Sequence, residues 1–332
     1  MGDRFVHGKV FGMSHRLRLL RFLFLAGFCV FATLMSPRQG SGQSLKVTLL
    51  GTGDPDPLME RFGPGILVEA GNEKLIFDAG RGGMQRLAQL GIPWNDLSAL
   101  FLTHLHSDHT VGIPDLYLTG WLLGRAVPFH VWGPAGTRAM MSQLVKAFRF
   151  DIHIRQADDL RPAKGAVVVA KDIAQGVVYE NGGVKVTAFD VEHGPVKPAL
   201  GYRVDFAGHS VVLSGDTNFS ENLIRFAQGT DVLIHEVCLA DPEVLKGSEH
   251  ERHVMAHHIT PERAAEVFNR VQPKLAVYSH VVLLGNVNDE QILARTRKTY
   301  SGRLEMGEDL MVIAVGDPIK VTRAEKVDSD KP

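Results

Sequence analysis

Residues 103–110 read Thr-His-Leu-His-Ser-Asp-His-Thr, so four potential metal ligands, His104, His106, Asp108 and His109, fall within six positions. They follow the apolar run at 99–102, whose length and composition are those of a buried strand. The cluster therefore sits where a strand gives way to a loop. In extended backbone, alternate residues face the same side, which directs His104 and His106 to one metal. Asp108 and His109, past the bend, reach a second. Neutral imidazole and carboxylate suit zinc or a similar borderline divalent ion, and manganese and iron are also compatible.

Four residues from one loop leave a two-metal site incomplete, so further ligands must come from later strand ends. Three candidates stand out. His193 follows the segment at 188–192, Asp216 lies in Leu213-Ser214-Gly215-Asp216-Thr217, and His280 closes Val277-Tyr278-Ser279-His280. Each comes just past an apolar strand, on the rim of a sheet, where binding residues of sheet proteins gather.

The elements that must position these residues are readable from periodicity. Strands are expected at 45–50, 65–69, 74–77, 99–102, 129–132, 167–169, 184–189, 201–206, 210–214, 231–235 and 275–279. The pairs 65–69 with 74–77 and 201–206 with 210–214 are close enough to be hairpins. Helices are expected at 84–90, 137–148 and 221–227, and one opens at Thr260-Pro261-Glu262, with threonine as the N-cap and proline in the first turn. Two similar halves of strands flanked by helices predict two sheets packed face to face with helices outside. No Ser/Gly linker interrupts residues 45–320, which argues for a single domain. The polar stretch 247–256, with His250 and His253, reads as a mobile flap, and the charged tail at 321–332 as frayed.

Bulk properties exclude some classes. The chain has 332 residues, 45% apolar and 22% charged, with a formal net charge of -1. There is no global electrostatic case for nucleic acid or an anionic membrane. Six of the 15 histidines lie between His235 and His280. The two cysteines, Cys29 and Cys238, define neither a disulfide framework nor a cysteine metal site. Near the N-terminus, Arg16, Arg18 and Arg21 precede a charge-free apolar run at 22–35 and a breaker-rich segment at 36–43. That is the layout of an export signal, too short for an ordinary membrane span, although an uncleaved anchor fits as well. Residues 1–43 are therefore set apart as signal or anchor, which implies a periplasmic or secreted protein, touching a membrane only through that segment.

Taken together, His-x-His-x-Asp-His at 104–109, the strand-end His193, Gly215-Asp216-Thr217 and the late Ser279-His280 resemble the metallo-β-lactamase superfamily over residues 45–315. The resemblance implies an α/β fold, a four-layer αββα sandwich in a single domain, with a dinuclear zinc site at one edge. By that resemblance His104, His106 and His193 hold one zinc, Asp108, His109 and His280 hold the other, and Asp216 bridges both. Asp78, in Phe77-Asp78-Ala79-Gly80, matches the superfamily's first acidic motif and supports the ligand loop.

Lactam hydrolysis is disfavoured, because the β-lactamases of this fold lack the carboxylate supplied here by Asp216. Lactonase and glyoxalase relatives carry a Gly-His-Thr/Ser-Pro-Gly-His third motif, whereas this chain has Glu192-His193-Gly194-Pro195. Leu50-Gly51-Thr52-Gly53, Ile234-His235-Glu236 and His258 ahead of Thr260-Pro261-Glu262-Arg263 resemble the ribonuclease Z and arylsulfatase-like branch. There the residue matching His258 helps protonate the leaving group, and adjacent His257 leaves the register open by one position. The basic Gly/Pro-rich arm with which ribonuclease Z binds tRNA has no counterpart at 151–190, which holds five Lys/Arg and six Asp/Glu.

The expectation is therefore an exported dinuclear zinc hydrolase that uses a metal-activated hydroxide on small phosphodiester or sulfate-ester substrates. Asp108 would orient the hydroxide or take its proton, and His258 would donate one. The partner would be a small-molecule ester rather than nucleic acid, and a homodimer is compatible with the sequence. The alternatives are ribonuclease Z-like tRNA 3′ processing, a lactonase or other ester hydrolase, and a non-catalytic metal-binding module. Tyr117, Trp121, Arg125, Phe129 and Trp132 are either pocket-lining residues or, for most of them, ordinary packing.

Overall fold

The computed structural model describes residues 44–323; the expected signal or anchor at 1–43 and the tail from 324 lie outside the described residues. Strands β1 (Leu45–Gly51), β2 (Gly65–Ala70), β3 (Glu73–Phe77), β4 (Leu97–Phe101), β5 (Phe129–Gly133) and β6 (Val168–Asp172) build most of one sheet. Strands β7 (Gly176–Asn181), β8 (Val184–Asp190), β9 (Leu200–Phe206), β10 (His209–Leu213), β11 (Val232–Ala240), β12 (Leu275–Leu284) and β13 (Leu304–Met306) build the other. The chain then returns to the first sheet as β14 (Val312–Val315) and β15 (Lys320–Thr322). The orders are β15-β14-β1-β2-β3-β4-β5-β6 and β13-β12-β11-β10-β9-β8-β7. Val321 and Thr322, expected in the frayed tail, pair with β14 instead.

Helices α1 (Gly83–Gln89), α2 (Ser107–Thr110), α3 (Ile113–Leu122), α4 (Thr137–Ala147) and α5 (Arg149–Ala157) belong to the first half. Helices α6 (Glu221–Ala227), α7 (Pro242–Gly247), α8 (Glu249–His257), α9 (Pro261–Val271) and α10 (Asp289–Thr296) belong to the second. β3 pairs parallel to β4, β4 to β5 and β5 to β6. In the other sheet β10 to β13 pair parallel in sequence order. Parallel neighbours need long crossovers, and here helices supply them. That covers the outer face of each sheet and makes four layers.

Three apolar clusters follow from that layering. Leu45, Val47, Phe77, Phe101, Tyr202, Val211, Ile234 and Val277 fill the space between the sheets. Met84 and Leu87 of α1, Leu116 of α3 and Met141 of α4 cover Leu67, Leu100 and Val131. Leu223 of α6, Phe268 of α9 and Ile292 of α10 cover Val212, Leu233 and Ala276. Tyr117, Trp121 and Arg125 prove to be packing residues: all are fully buried and bond to the backbone oxygens of Ala166, Pro162 and Tyr117 respectively.

The expected flap at 247–256 is instead mostly helix α8. Ser248 caps it by accepting from the Glu251 backbone N–H, with Glu249 and Glu251 in the first turn. A capping serine with acids in the first turn stabilises a helix start.

One carboxylate ties the site's flank to the core. Asp309, before β14, accepts from Thr52 N (2.9 Å), Thr52 Oγ1 (3.0 Å), Phe62 N (2.8 Å) and Arg86 Nη2 (2.9 Å). It thereby joins the loop after β1 to α1. Removing a buried acceptor strands all of its donors, so Asp309→Ala is expected to cost roughly 3 kcal/mol. Urea unfolding checks this, and an unchanged midpoint would show that the clamp carries no stability.

Candidate metal centre

The ligand loop leaves the C-terminal end of β4, as the apolar run at 99–102 requires. Asp78, immediately after the neighbouring β3, lies behind it with φ 60, a left-handed conformation that aspartate tolerates better than most residues. Its Oδ1 accepts from Thr103 N and its Oδ2 from Thr103 Oγ1, both at 2.8 Å. His109 Nδ1 lies 2.9 Å from the same Oδ2, and His104 Nδ1 lies 3.0 Å from Thr103 Oγ1. The Thr103 hydroxyl gives its proton to Asp78, so it accepts from His104 Nδ1–H. His193 Nδ1 donates to the backbone oxygen of His257 at 3.1 Å. These outer bonds occupy Nδ1 of His104, His109 and His193 and turn Nε2 of each inward, where it can ligate once the ring is neutral.

The inward nitrogens converge on Asp216, which follows β10. Its Oδ2 lies 3.3 Å from Nε2 of His109 and of His280, and 3.8 Å from Nε2 of His104 and of His193. Asp108 Oδ2 lies 3.3 Å from Nε2 of both His109 and His280. His106, exposed at the mouth, places Nδ1 3.4 Å from His193 Nε2. Two ligand sets result, with ligating atoms within 4.8 Å of one another: His104, His106, His193 and Asp216, and then Asp108, His109 and His280. All seven residues singled out as metal ligands are thus brought together, with Asp78 behind them rather than among them.

The donor set fits a metal. Among the described residues, buried His104 Nε2, His109 Nε2 and Asp216 Oδ1 have no hydrogen-bond partner, an arrangement that costs free energy unless a cation occupies the space between them. Burial opposes ionisation of Asp216, yet His280 and His109 hold its carboxyl well below the usual range. Burial similarly opposes charge on Asp108, which the facing His109 and His280 outweigh. Burial pushes His193 down to about 4 and keeps that imidazole neutral, the form that ligates. The cluster is a divalent-metal-binding arrangement.

His280 corrects one expectation. It does not end its strand but lies inside β12, with φ 46. The β11–β12 register runs His235↔Tyr278 and then Val237↔Val281, so β12 holds one extra residue there. Such a bulge re-aims a side chain without ending the strand.

Glu236 is the residue that the sequence did not mark as part of the site. It lies inside β11, buried, and its Oε1 accepts from Thr217 N (3.0 Å) and His258 Nδ1 (3.2 Å). A carboxylate within a continuous apolar strand was the available signal. Burial works against charge on His258, but the adjacent Glu236 outweighs it and raises His258 to about 9. A nitrogen of His258 lies within 4.8 Å of ligating atoms of Asp216 and His280. His257 differs in its contacts: its backbone oxygen holds His193, and its half-buried ring lies 5.9 Å from the His193 ring.

Residues 66–281 match the beta-lactamase superfamily domain. A ribonuclease Z of Mycolicibacterium gilvum is 37% identical over 279 residues, spanning 82% of this chain and 96% of that protein. Among solved structures, a metallo-beta-lactamase fold protein of Bacillus subtilis has a TM-score of 0.63 at 20% identity, covering 82% of this chain and all of that one. The short form of human tRNase Z has a TM-score of 0.60 at 24% identity, covering 82% and 99%. The two structural likenesses concern the fold. The chain belongs to the metallo-β-lactamase superfamily and, within it, to the ribonuclease Z family.

Outer partners of metal-bound histidines set affinity, so Asp78→Ala is expected to weaken metal binding by about 10–100-fold. Competition with a chromophoric chelator measures it, with Asp216→Ala losing bound metal altogether as the reference. Unchanged affinity in Asp78→Ala would mean that the ligand loop holds its shape unaided.

Proposed function

We propose that the chain is a zinc-dependent phosphodiesterase of the ribonuclease Z type, cutting RNA at the 3′ side of precursor tRNA. The observation that carries this reading is the complete ligand set beside the His258–Glu236 pair, in a chain 37% identical to a ribonuclease Z. It takes precedence over the small-ester reading, which rested on the export-like N-terminus and on the balanced charge at 151–190. An imidazole-rich set with carboxylates supports zinc over harder ions.

His104, His106 and His193 would hold one ion and Asp108, His109 and His280 the other, with Asp216 between them. Bound divalent ions supply Lewis acidity to a phosphodiester and lower the pKa of water. The chain's own residues do the rest. Asp108, next to His109 and His280, accepts a proton from the attacking water. Glu236 occupies His258 Nδ1, which leaves Nε2–H to protonate the departing ribose oxygen. Thr217 N holds Glu236 in place through Oε1.

Two substrates separate the readings, a 3′-extended precursor tRNA transcript and bis(p-nitrophenyl) phosphate, each assayed with the full chain. Cleavage of the transcript, lowered about 10²–10⁴-fold by His258→Ala, is the expected result. Turnover of the small ester without cleavage of the transcript would return the assignment to a small-substrate hydrolase.

The proton donor must be charged, so its activity is lost as pH rises through its pKa. Glu236 raises that pKa, so Glu236→Gln is expected to move the alkaline limb of the rate profile to lower pH. An alkaline limb that stays put would remove His258 from the donor role.

A further inference from the structure

Helix α8 carries Glu249, His250, His253 and His257. On a helix, positions i and i+4 are neighbours on one face, so Glu249, His253 and His257 form a single stripe, with His250 beside it. Glu249 Oε1 lies 3.9 Å from His253 Nε2, and both side chains are largely exposed, at 81% and 71%. Nothing in the proposed chemistry uses these groups. At the C-terminal end of the stripe the spacing to the metal centre closes. The His257 ring lies 5.9 Å from the ring of His193, and His193 Nε2 lies 3.4 Å from His106 Nδ1.

The backbone makes room for this approach. Gly194 has φ 55, and a Cβ at that position would come within 2.6 Å of the His257 ring. A side chain at position 194 would collide with the His257 ring where it now lies. Asn218, in the loop after β10, donates from Nδ2 to the backbone oxygen of Ala256 at 2.9 Å and from its backbone N to Glu192 O, which ties the end of α8 to the loop that carries His193. His253, one turn before His257 on the same helix face, thus lies on the solvent side of a run of imidazoles from His257 to His193 and His106.

We propose that His253 and His257 form a surface divalent-metal site that captures zinc and passes it to His106 and His193. A pair of histidines at i and i+4 on one helix face is a recognised chelating arrangement for zinc. The proposal rests on the reading of the inner cluster as a metal centre. It requires a third, weaker equivalent beyond the inner two. It also requires that the α8 pair speed the filling of an empty centre by raising the local concentration of the ion.

The test uses the full chain, wild type and His253→Ala, with His153→Ala as a control for an exposed histidine elsewhere. Equilibrium dialysis of the zinc-loaded protein against added zinc counts weak equivalents. Stopped-flow mixing of chelator-stripped protein with zinc, in the presence of a chromophoric competitor, follows loading. The expected result is one weak equivalent in wild type and in His153→Ala, lost in His253→Ala. Loading should be slower in His253→Ala on the order of tenfold, with the tight stoichiometry and the activity after loading unchanged. No weak equivalent in wild type, or equal loading rates in all three proteins, overturns the proposal. Absence of any tight zinc would sink the metal-centre reading itself, a separate result from the loss of the weak site.

Discussion

The site depends on one buried charge. Asp216 is 3% exposed, and an ionised carboxylate so placed is stable only when paired. Four imidazole nitrogens approach it within 3.8 Å, and for three of those histidines an outer partner holds the ring in place. Thr103 with Asp78, and the His257 carbonyl, occupy Nδ1 of these rings. The Nε2 atoms therefore point at the carboxylate with little freedom to turn away. Such an array of acceptors is unfavourable when empty and favourable around a cation, so metal binding and the integrity of this rim are linked.

Positioning Asp216 constrains both sheets. Gly215 before it has φ 61, and a Cβ there would meet the Leu200 carbonyl at 2.6 Å and Thr103 Cβ at 3.1 Å. The tight approach brings β10 of one sheet against the ligand loop of the other. Leu200 N donates to Thr103 O at 2.9 Å and the Tyr202 hydroxyl to Leu102 O at 2.6 Å, so the sheets are joined by hydrogen bonds next to the cluster. The apolar packing between the sheets is non-directional, whereas these bonds set the register of one sheet on the other at the one edge where tenths of an ångström matter.

Much of this was legible in the sequence because ligands at the ends of apolar strands are local signals. The run at 99–102, the tight Gly215-Asp216 turn and the cap at Thr260 each announce themselves within a few residues. What was not legible depends on partners distant in sequence. The extra residue in β12 is defined only by its register with β11, so His280 reads as a strand end rather than a bulge. Glu236 looks like an anomaly in an apolar strand until His258, 22 positions later, is placed beside it. Helix α8 was obscured by polarity: none of its residues is buried, so it lacks the apolar stripe on which helix reading relies.

The Glu236–His258 pair bears on the kind of ester the site suits. Oε2 of Glu236 is buried without a partner, while Oε1 is shared by a backbone amide and His258. Burial raises the Glu236 carboxyl, and the adjacent His258 imidazolium is the main group that offsets its charge. In the proposed donor role, a His258 held protonated above its usual range would contribute most to a poor leaving group, such as a ribose alkoxide. It contributes little when the departing group is already stable as an anion, as p-nitrophenolate is. A site built only for activated or acidic leaving groups would have no use for a buried carboxylate whose main neighbour is a single histidine. On the proposed reading, the carboxylate buried inside β11 would serve an unactivated alkoxide leaving group better than an acidic one.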